Sequence, residues 1–299
     1  MIKEFALDPT LLLHWAKSTR DYHEFFREYG RGTPRLISSF PKKKFSKLRS
    51  YLMEKSDCLE NESAKLRYIE MVQALADGLV CRSCEASVTN DWYDLVQIEN
   101  QLNPFDAILS SHKINLDSAV SLDDMYDSVL WNLPFQLNIK RTQKEFLNHL
   151  DSFVKTTKEY LVFVDAFCYQ SRAIDIIAKL INKLEQRKSK EVIPKVLIFY
   201  RENQNSKNVH YVKENILAKI KPELEIDLIV SELQPSAGQD AFHNRYILND
   251  CGGILLPYGF DLSDEDCETD EAIILSEENY NKRWGQFVDN LSFNLVNQA

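Results

Sequence analysis

Apolar runs alternate with amphipathic stretches in the second half of the chain. Residues 160–167 (YLVFVDAF), 195–200 (KVLIFY) and 224–230 (LEIDLIV) are nearly continuous apolar segments of the kind that forms buried strands. Between them, residues 174–184 and 212–220 repeat apolar side chains at helical spacing. This β-α-β-α-β order predicts an α/β fold with a largely parallel sheet covered by helices, with strands at 161–167, 195–200 and 225–230.

Further elements extend this half at both ends. Thr142 and Glu145 form a capping-box pattern, which predicts a helix just before the first strand. Residues 246–248 and 254–256 are two short apolar runs separated by turn-forming residues, which predicts a hairpin. Residues 280–291 predict a closing helix. We therefore expect an α/β domain over residues 141–299.

The first half of the chain has a different pattern. Residues 63–80 carry the clearest helical periodicity, and no stretch alternates as a half-buried strand does. Residues 100–112 predict a loop or turn followed by a brief helix. We expect residues 1–135 to form a mainly helical interaction or recognition domain, with a boundary near Leu133 and Pro134.

Charge and composition narrow the classes of function. The net charge is −9, so a surface that coats nucleic acid is not expected, although a local site remains open. Residues 261–278 contain nine acidic side chains and no basic one. No apolar run has the length of a membrane span and the N-terminus lacks a signal-peptide pattern, so we expect a cytoplasmic protein without membrane contact.

Two smaller clusters have alternative interpretations. The basic side chains between Lys42 and Arg49 suit either a phosphate backbone or, as we favour, the solvated face of an amphipathic helix. Cys81 and Cys84 form one CxxC pair inside an apolar pattern. Because no second pair completes a zinc site, core packing is the favoured interpretation and no metal is expected.

The strongest candidate for chemistry is the segment that contains His243, Arg245 and Asp250 at the spacing H-x-R-x4-D. His243 and Arg245 are predicted on one strand, where side chains two apart point to the same face. An arginine and a histidine aimed together suit a phosphate, because arginine binds its oxygens and histidine can attack phosphorus or donate a proton. A hairpin whose polar side chains only satisfy backbone groups is the alternative.

This spacing resembles the H-x-K-x4-D motif of the phospholipase D-like superfamily, and residues 141–291 resemble the plan of one such domain. Two departures stand out. Arg245 replaces the lysine of the motif, and Gly259 is the nearest equivalent of the glycine that usually follows. The family also uses two motifs, whereas this chain has one.

The resemblance implies two functions. An active enzyme would be a metal-independent phosphodiesterase or nuclease without a cofactor. His243 would be its nucleophile or acid, Arg245 and Gly259 would bind phosphate, Asp250 would support the site, and a homodimer would supply the second histidine. The favoured expectation is a non-hydrolytic recognition or assembly subunit with a protein partner, since single-copy bacterial relatives often belong to nucleic-acid-related or anti-phage defence systems.

Overall fold

The structure is a computed structural model that describes residues 1–84, 91–235, 244–263, 265 and 267–299. The chain divides into two compact units. Unit 1 comprises Met1–Pro134 and Lys188–Lys190, and unit 2 comprises Phe135–Arg187 and Glu191–Ala299. Each unit has a sheet of its own, four-stranded in unit 1 and eight-stranded in unit 2.

Unit 1 is built on a parallel sheet with the strand order β2-β1-β3-β4. Its strands are β1 (Lys3–Leu7), β2 (Arg35–Ile37), β3 (Ala107–Ser110) and β4 (Ala119–Ser121). Its helices are α1 (Pro9–Lys17), α2 (Thr19–Glu28), α3 (Phe45–Met53), α4 (Glu62–Ala74) and α5 (Trp92–Leu102). Helices supply most of the regular structure, as expected, and the sheet between them was not predicted.

No strands were predicted for unit 1, and this prediction was wrong for a physical reason. Its four strands have three to five residues each, and β2 and β3 are buried at every position. A fully buried strand that short has no alternation of polar and apolar residues to reveal it. Residues 107–110, expected to begin a brief helix, therefore form β3 beside β1.

The helix predicted over residues 63–80 is shorter than expected. Asn61 caps α4 by accepting the N–H of Ala64 at 3.1 Å. The helix ends at Ala74, and Gly78 then takes a positive φ of 80°. Tyr68 is buried whereas Leu66 is 61% exposed, so Leu66 does not belong to the core face of this helix.

Unit 2 contains the predicted α/β arrangement. Its strands are β5 (Gln136–Lys140), β6 (Tyr160–Val164), β7 (Lys195–Arg201), β8 (Asp227–Gln234), β9 (Tyr246–Asn249), β10 (Gly252–Leu255), β11 (Thr269–Ile274) and β12 (Asn294–Gln298). Its helices are α6 (Gln143–Lys155), α7 (Ser171–Asn182), α8 (Val209–Leu217) and α9 (Glu277–Trp284). The strand order is β12-β8-β7-β6-β9-β10-β11-β5.

The sheet of unit 2 is mixed rather than largely parallel. Only β6, β7 and β8, which are joined through α7 and α8, pair in parallel. The hairpin of β9 and β10 adds antiparallel to β6, and the edge strands also pair antiparallel. The helix expected over residues 280–291 is α9 followed by a π-helical turn at Gly285–Asp289, and the chain then forms β12.

Local sequence explains why the central elements form where they do. Thr142 accepts the N–H of Glu145 at 3.4 Å and so begins α6, as the capping pattern predicted. Val162, Phe163 and Leu248 are fully buried, because helices or loops cover both faces of the middle strands. This burial fixes the register of β6 against β9, which positions the candidate site.

Candidate functional site

The candidate site lies at one end of the β6–β9 pair. The two strands run antiparallel, and Val164 at the end of β6 lies opposite Tyr246 at the start of β9. Asp165 follows β6 and Arg245 precedes β9, so the register alone brings these two residues to the same edge of the sheet. Their contact is an ion pair, with 3.3 Å between Arg245 Nε and Asp165 Oδ1.

Asp165 is buried and firmly held. Its Oδ1 accepts the N–H of Phe167 at 2.8 Å, and its Oδ2 accepts the N–H of Phe260 at 2.9 Å. Burial raises the pKa of Asp165 above its usual value, although both hydrogen bonds and the charge of Arg245 act in the opposite direction. The carboxylate therefore depends on these partners for its charge.

The side chain of Arg245 makes one hydrogen bond and one ion pair with other described residues of unit 2. Its Nη1 donates to the carbonyl of Pro257 at 2.5 Å, and the guanidinium lies 5.6 Å from the ring centre of Phe167. Nε meets no hydrogen-bond acceptor with good geometry among the described residues, so its contact with Asp165 is electrostatic. Only 19% of the side chain is exposed. The guanidinium is thus held by a carboxylate and a carbonyl.

Gly259 leaves room for this ion pair. Its φ is +66°, and a Cβ there would lie 2.0 Å from Asp165 Oδ2 and 2.3 Å from Arg245 Cδ. Its N–H donates to the carbonyl of Leu256 at 2.9 Å, which closes a turn. The residue expected to bind phosphate therefore uses its amide within the turn, and its missing side chain is what the site requires.

Asp250 lies at the opposite end of β9 from Arg245. Its Oδ2 accepts the N–H groups of Lys158, Glu159 and Tyr160 at 2.8, 2.9 and 3.2 Å. The span from Arg245 to Asp250 along an extended strand is about 17 Å. The structure therefore does not bring Asp250 to Arg245, and its carboxylate instead anchors the segment that leads into β6. Burial raises the pKa of Asp250 despite these hydrogen bonds.

His243 lies outside the described residues, so the structure gives no account of its side chain. His243 and Arg245 were predicted on one strand. This prediction is wrong for Arg245, because β9 begins at Tyr246 and Arg245 precedes it. The motif is thus represented in the described chain by Arg245, Asp250 and Gly259, of which Arg245 and Gly259 come together.

A cleft of about 150 Å³ opens beside the ion pair. Its lining includes two carboxylates, those of Asp165 and Asp261, and one guanidinium, that of Arg245. Asp261 is itself 2.9 Å from Arg141 through Oδ2 and Nη2. The cleft is smaller than the 300–1,000 Å³ typical of small-molecule sites. With two carboxylates and one guanidinium, the lining has a net negative charge, which disfavours binding of an anion.

The sequence motif does not include most of the residues that line the cleft. Phe167, Gln170 and Tyr258 line it but carry no recognisable pattern in the sequence. In the sequence, Asp165 stands near the carboxyl end of a predicted strand. That position is itself a usable signal, because ligands in open α/β sheets commonly bind beside the carboxyl ends of the parallel strands.

The described residues contain neither a cluster of metal ligands nor a membrane-spanning helix. Among the described residues, no three histidine, cysteine or acidic side chains gather as metal ligands would. Burial raises the pKa of Cys84 to about 11, which keeps this thiol protonated. Within the same part of the chain, no helix combines the length and the apolar character needed to cross a membrane.

No protein-family model and no curated protein matches this sequence. Among solved structures, NucT from Helicobacter pylori aligns at a TM-score of 0.37 with 14% identity, over 54% of this chain and 97% of that one. TrmBL2, an archaeal chromatin protein described as having a novel mode of DNA binding, aligns at 0.29 with 13% identity, over 68% of this chain and 61% of that one. At these TM-scores neither likeness bears on function.

Proposed function

We propose that unit 2 is a phospholipase D-like domain that serves as a recognition or assembly module and does not hydrolyse phosphodiesters. The order of β6, α7, β7, α8, β8 and the β9–β10 hairpin follows the plan of such a domain. The acidic residue at the end of the first strand, Asp165, and the H-x-R-x4-D segment fall at the positions that this plan requires.

The engagement of Arg245 is the observation that carries the proposal. A phosphodiesterase of this type needs a cation that neutralises the oxygens of the reacting phosphate. Here the guanidinium is paired with Asp165 and donates to Pro257. The cleft beside it adds a second carboxylate, Asp261. A phosphate would have to compete with a buried carboxylate for this arginine, which favours a structural or recognition role over catalysis.

The module would act with a partner, either another protein or a second copy of this chain. The acidic segment that follows the hairpin opposes open binding of a polyanion, so any contact with nucleic acid would be local. The setting implied by the sequence resemblance is a bacterial nucleic-acid-related or anti-phage defence system. The alternative, a metal-independent phosphodiesterase with His243 from each chain of a dimer, is the opposing outcome of the test below.

The first experiment measures hydrolysis of bis(p-nitrophenyl) phosphate and of labelled DNA and RNA in excess EDTA. We expect no turnover by the wild-type chain or by His243→Ala. Turnover that persists in EDTA and disappears in His243→Ala would refute the proposal and establish the phosphodiesterase.

The second experiment measures recognition directly. Sedimentation velocity reports self-association, and fluorescence anisotropy reports binding to short single- and double-stranded oligonucleotides. Lysine cannot make both contacts of Arg245, so Arg245→Lys should weaken whichever association is found by roughly tenfold or more. Arg172→Lys changes an exposed arginine outside the cleft lining and should leave it unchanged. Equal association by all three proteins would refute a recognition role for Arg245.

A further inference from the structure

Unit 1 contains a larger and more aromatic cavity than the cleft of unit 2. Its volume is about 310 Å³, at the lower end of the range for small-molecule sites. Five aromatic side chains line it: Trp15, Phe25, Tyr29, Tyr126 and Trp131. All of its lining residues lie between His14 and Trp131, so the cavity belongs to unit 1 alone.

The aromatic walls are fixed by their own packing. Tyr29 follows α2, and its ring centre lies 5.4 Å from that of Trp15 and 5.5 Å from that of Trp131. Arg35 holds Trp131 twice, with its guanidinium 4.1 Å from the indole centre and its Nε donating to the Trp131 carbonyl at 3.1 Å. Glu28 Oε2 lies 2.7 Å from Arg35 Nη1 and neutralises the charge of the guanidinium. The cavity is therefore formed in advance of any ligand.

The Tyr29 hydroxyl is a polar group without a role in the packed protein. The side chain is only 8% exposed, and its hydroxyl meets no hydrogen-bond partner among the described residues. Burial raises the pKa of Tyr29 well above its usual value, so the hydroxyl keeps its proton. A buried donor without an acceptor is costly, and an acceptor atom on a ligand would remove that cost.

Polar side chains surround the same cavity. Asp21, Glu24 and Arg20 line it together with the aromatic residues. The Tyr126 hydroxyl donates to Glu24 Oε1 at 2.5 Å, which orients that carboxylate. Carboxylates accept hydrogen bonds from amino or hydroxyl groups. The cavity thus combines stacking surfaces, one buried donor, two acceptors and one cation.

We propose that this cavity binds a nucleoside, with the base among the aromatic rings and an acceptor atom of the base bonded to the Tyr29 hydroxyl. Stacking of a base on aromatic side chains is a general mode of nucleotide recognition. The carboxylates of Asp21 and Glu24 would accept hydrogen bonds from the amino groups of the base or from the sugar hydroxyls. This proposal concerns unit 1 and is independent of the function proposed for unit 2.

A cationic ligand fits this cavity less well. Aromatic cages bind quaternary ammonium groups through the faces of their rings. Arg35 already places a positive charge against the ring of Trp131. A quaternary ammonium group also has no acceptor atom, so it would leave the Tyr29 hydroxyl without a partner.

Calorimetric titration of the full chain with the four ribonucleosides tests the proposal. We expect at least one base to bind, with quenching of tryptophan fluorescence from Trp15 and Trp131. Tyr29→Phe removes an atom that has no partner in the free protein, so thermal stability should stay the same or rise. The same change should weaken binding by roughly five- to tenfold, because one hydrogen bond to the ligand is lost.

Matched variants separate this contact from general effects. Tyr22 lies on α2, the helix that precedes Tyr29, and its hydroxyl bonds to Glu70 outside the cavity lining. Tyr22→Phe removes this hydroxyl, so the affinity for the nucleoside should be unchanged. Leu122→Trp should fill the cavity and abolish binding. The proposal is overturned if no nucleoside binds at millimolar concentration. Equal affinity of Tyr29→Phe and wild type also overturns it, as does tighter binding of tetramethylammonium or of ribose alone.

Discussion

Replacing Gly259 by alanine tests the geometry of the candidate site in unit 2. Alanine at a φ of +66° costs about 1–2 kcal/mol in backbone strain. Its Cβ would also lie 2.0 Å from Asp165 Oδ2 and 2.3 Å from Arg245 Cδ. Asp165 is fixed by two backbone N–H groups and cannot move away freely, so overpacking adds about 1–3 kcal/mol. Together these effects predict a loss of about 2–5 kcal/mol in the free energy of unfolding of unit 2.

Gly285→Ala is the matched control, because Gly285 has a negative φ and a Cβ there meets no atom within 4 Å. This control should leave stability unchanged or raise it by up to about 1 kcal/mol. Urea titration followed by circular dichroism measures the loss, and hydrogen exchange should locate it in β6 and β9. Wild-type stability of Gly259→Ala, or an equal loss in Gly285→Ala, would show that the close approach of Gly259 to the ion pair is wrong.

Two further predictions concern buried carboxylates. Asp250→Ala should destabilise unit 2 by about 2–4 kcal/mol in urea titrations, because three backbone N–H groups lose their acceptor. Asp250→Asn should cost less. An unchanged urea midpoint for Asp250→Ala would contradict the anchoring role of Asp250. Burial raises the pKa of Asp165 in the folded state, so folding favours its protonated form, and the stability of wild type relative to Asp165→Asn should rise as pH falls from 7 through the folded pKa towards the unfolded value of 3.8. A difference that stays constant or falls over this range would contradict the raised pKa.

Local patterns were sufficient for the central elements of unit 2. The strands β6, β7 and β8 each have five to eight residues, and amphipathic helices separate them. A buried parallel strand is apolar throughout, so its identity is visible in the sequence without knowledge of its partners. The two units of the chain meet in the sequence between Pro134 and Phe135, apart from Lys188–Lys190.

The short strands of unit 1 could not be found in this way. β1 pairs with β3, which is about a hundred residues away in the chain, and each strand is too short to show a period. Their existence depends on partners that only the folded chain supplies. The direction of the outer strands of unit 2 has the same origin, since a strand pattern does not specify parallel or antiparallel pairing.

The candidate site shows most clearly where sequence and tertiary structure divide. The sequence by itself determined the motif spacing, the apolar run between Arg245 and Asp250 that forms β9, and the net charge around it. Tertiary structure decided which partners its residues meet: Arg245 contacts Asp165, and Asp250 holds the backbone of residues 158–160. The physical reason is that spacing fixes only the positions of side chains along the chain. The partners that their charges meet depend on the distant segments that the register and packing of the sheet bring beside them.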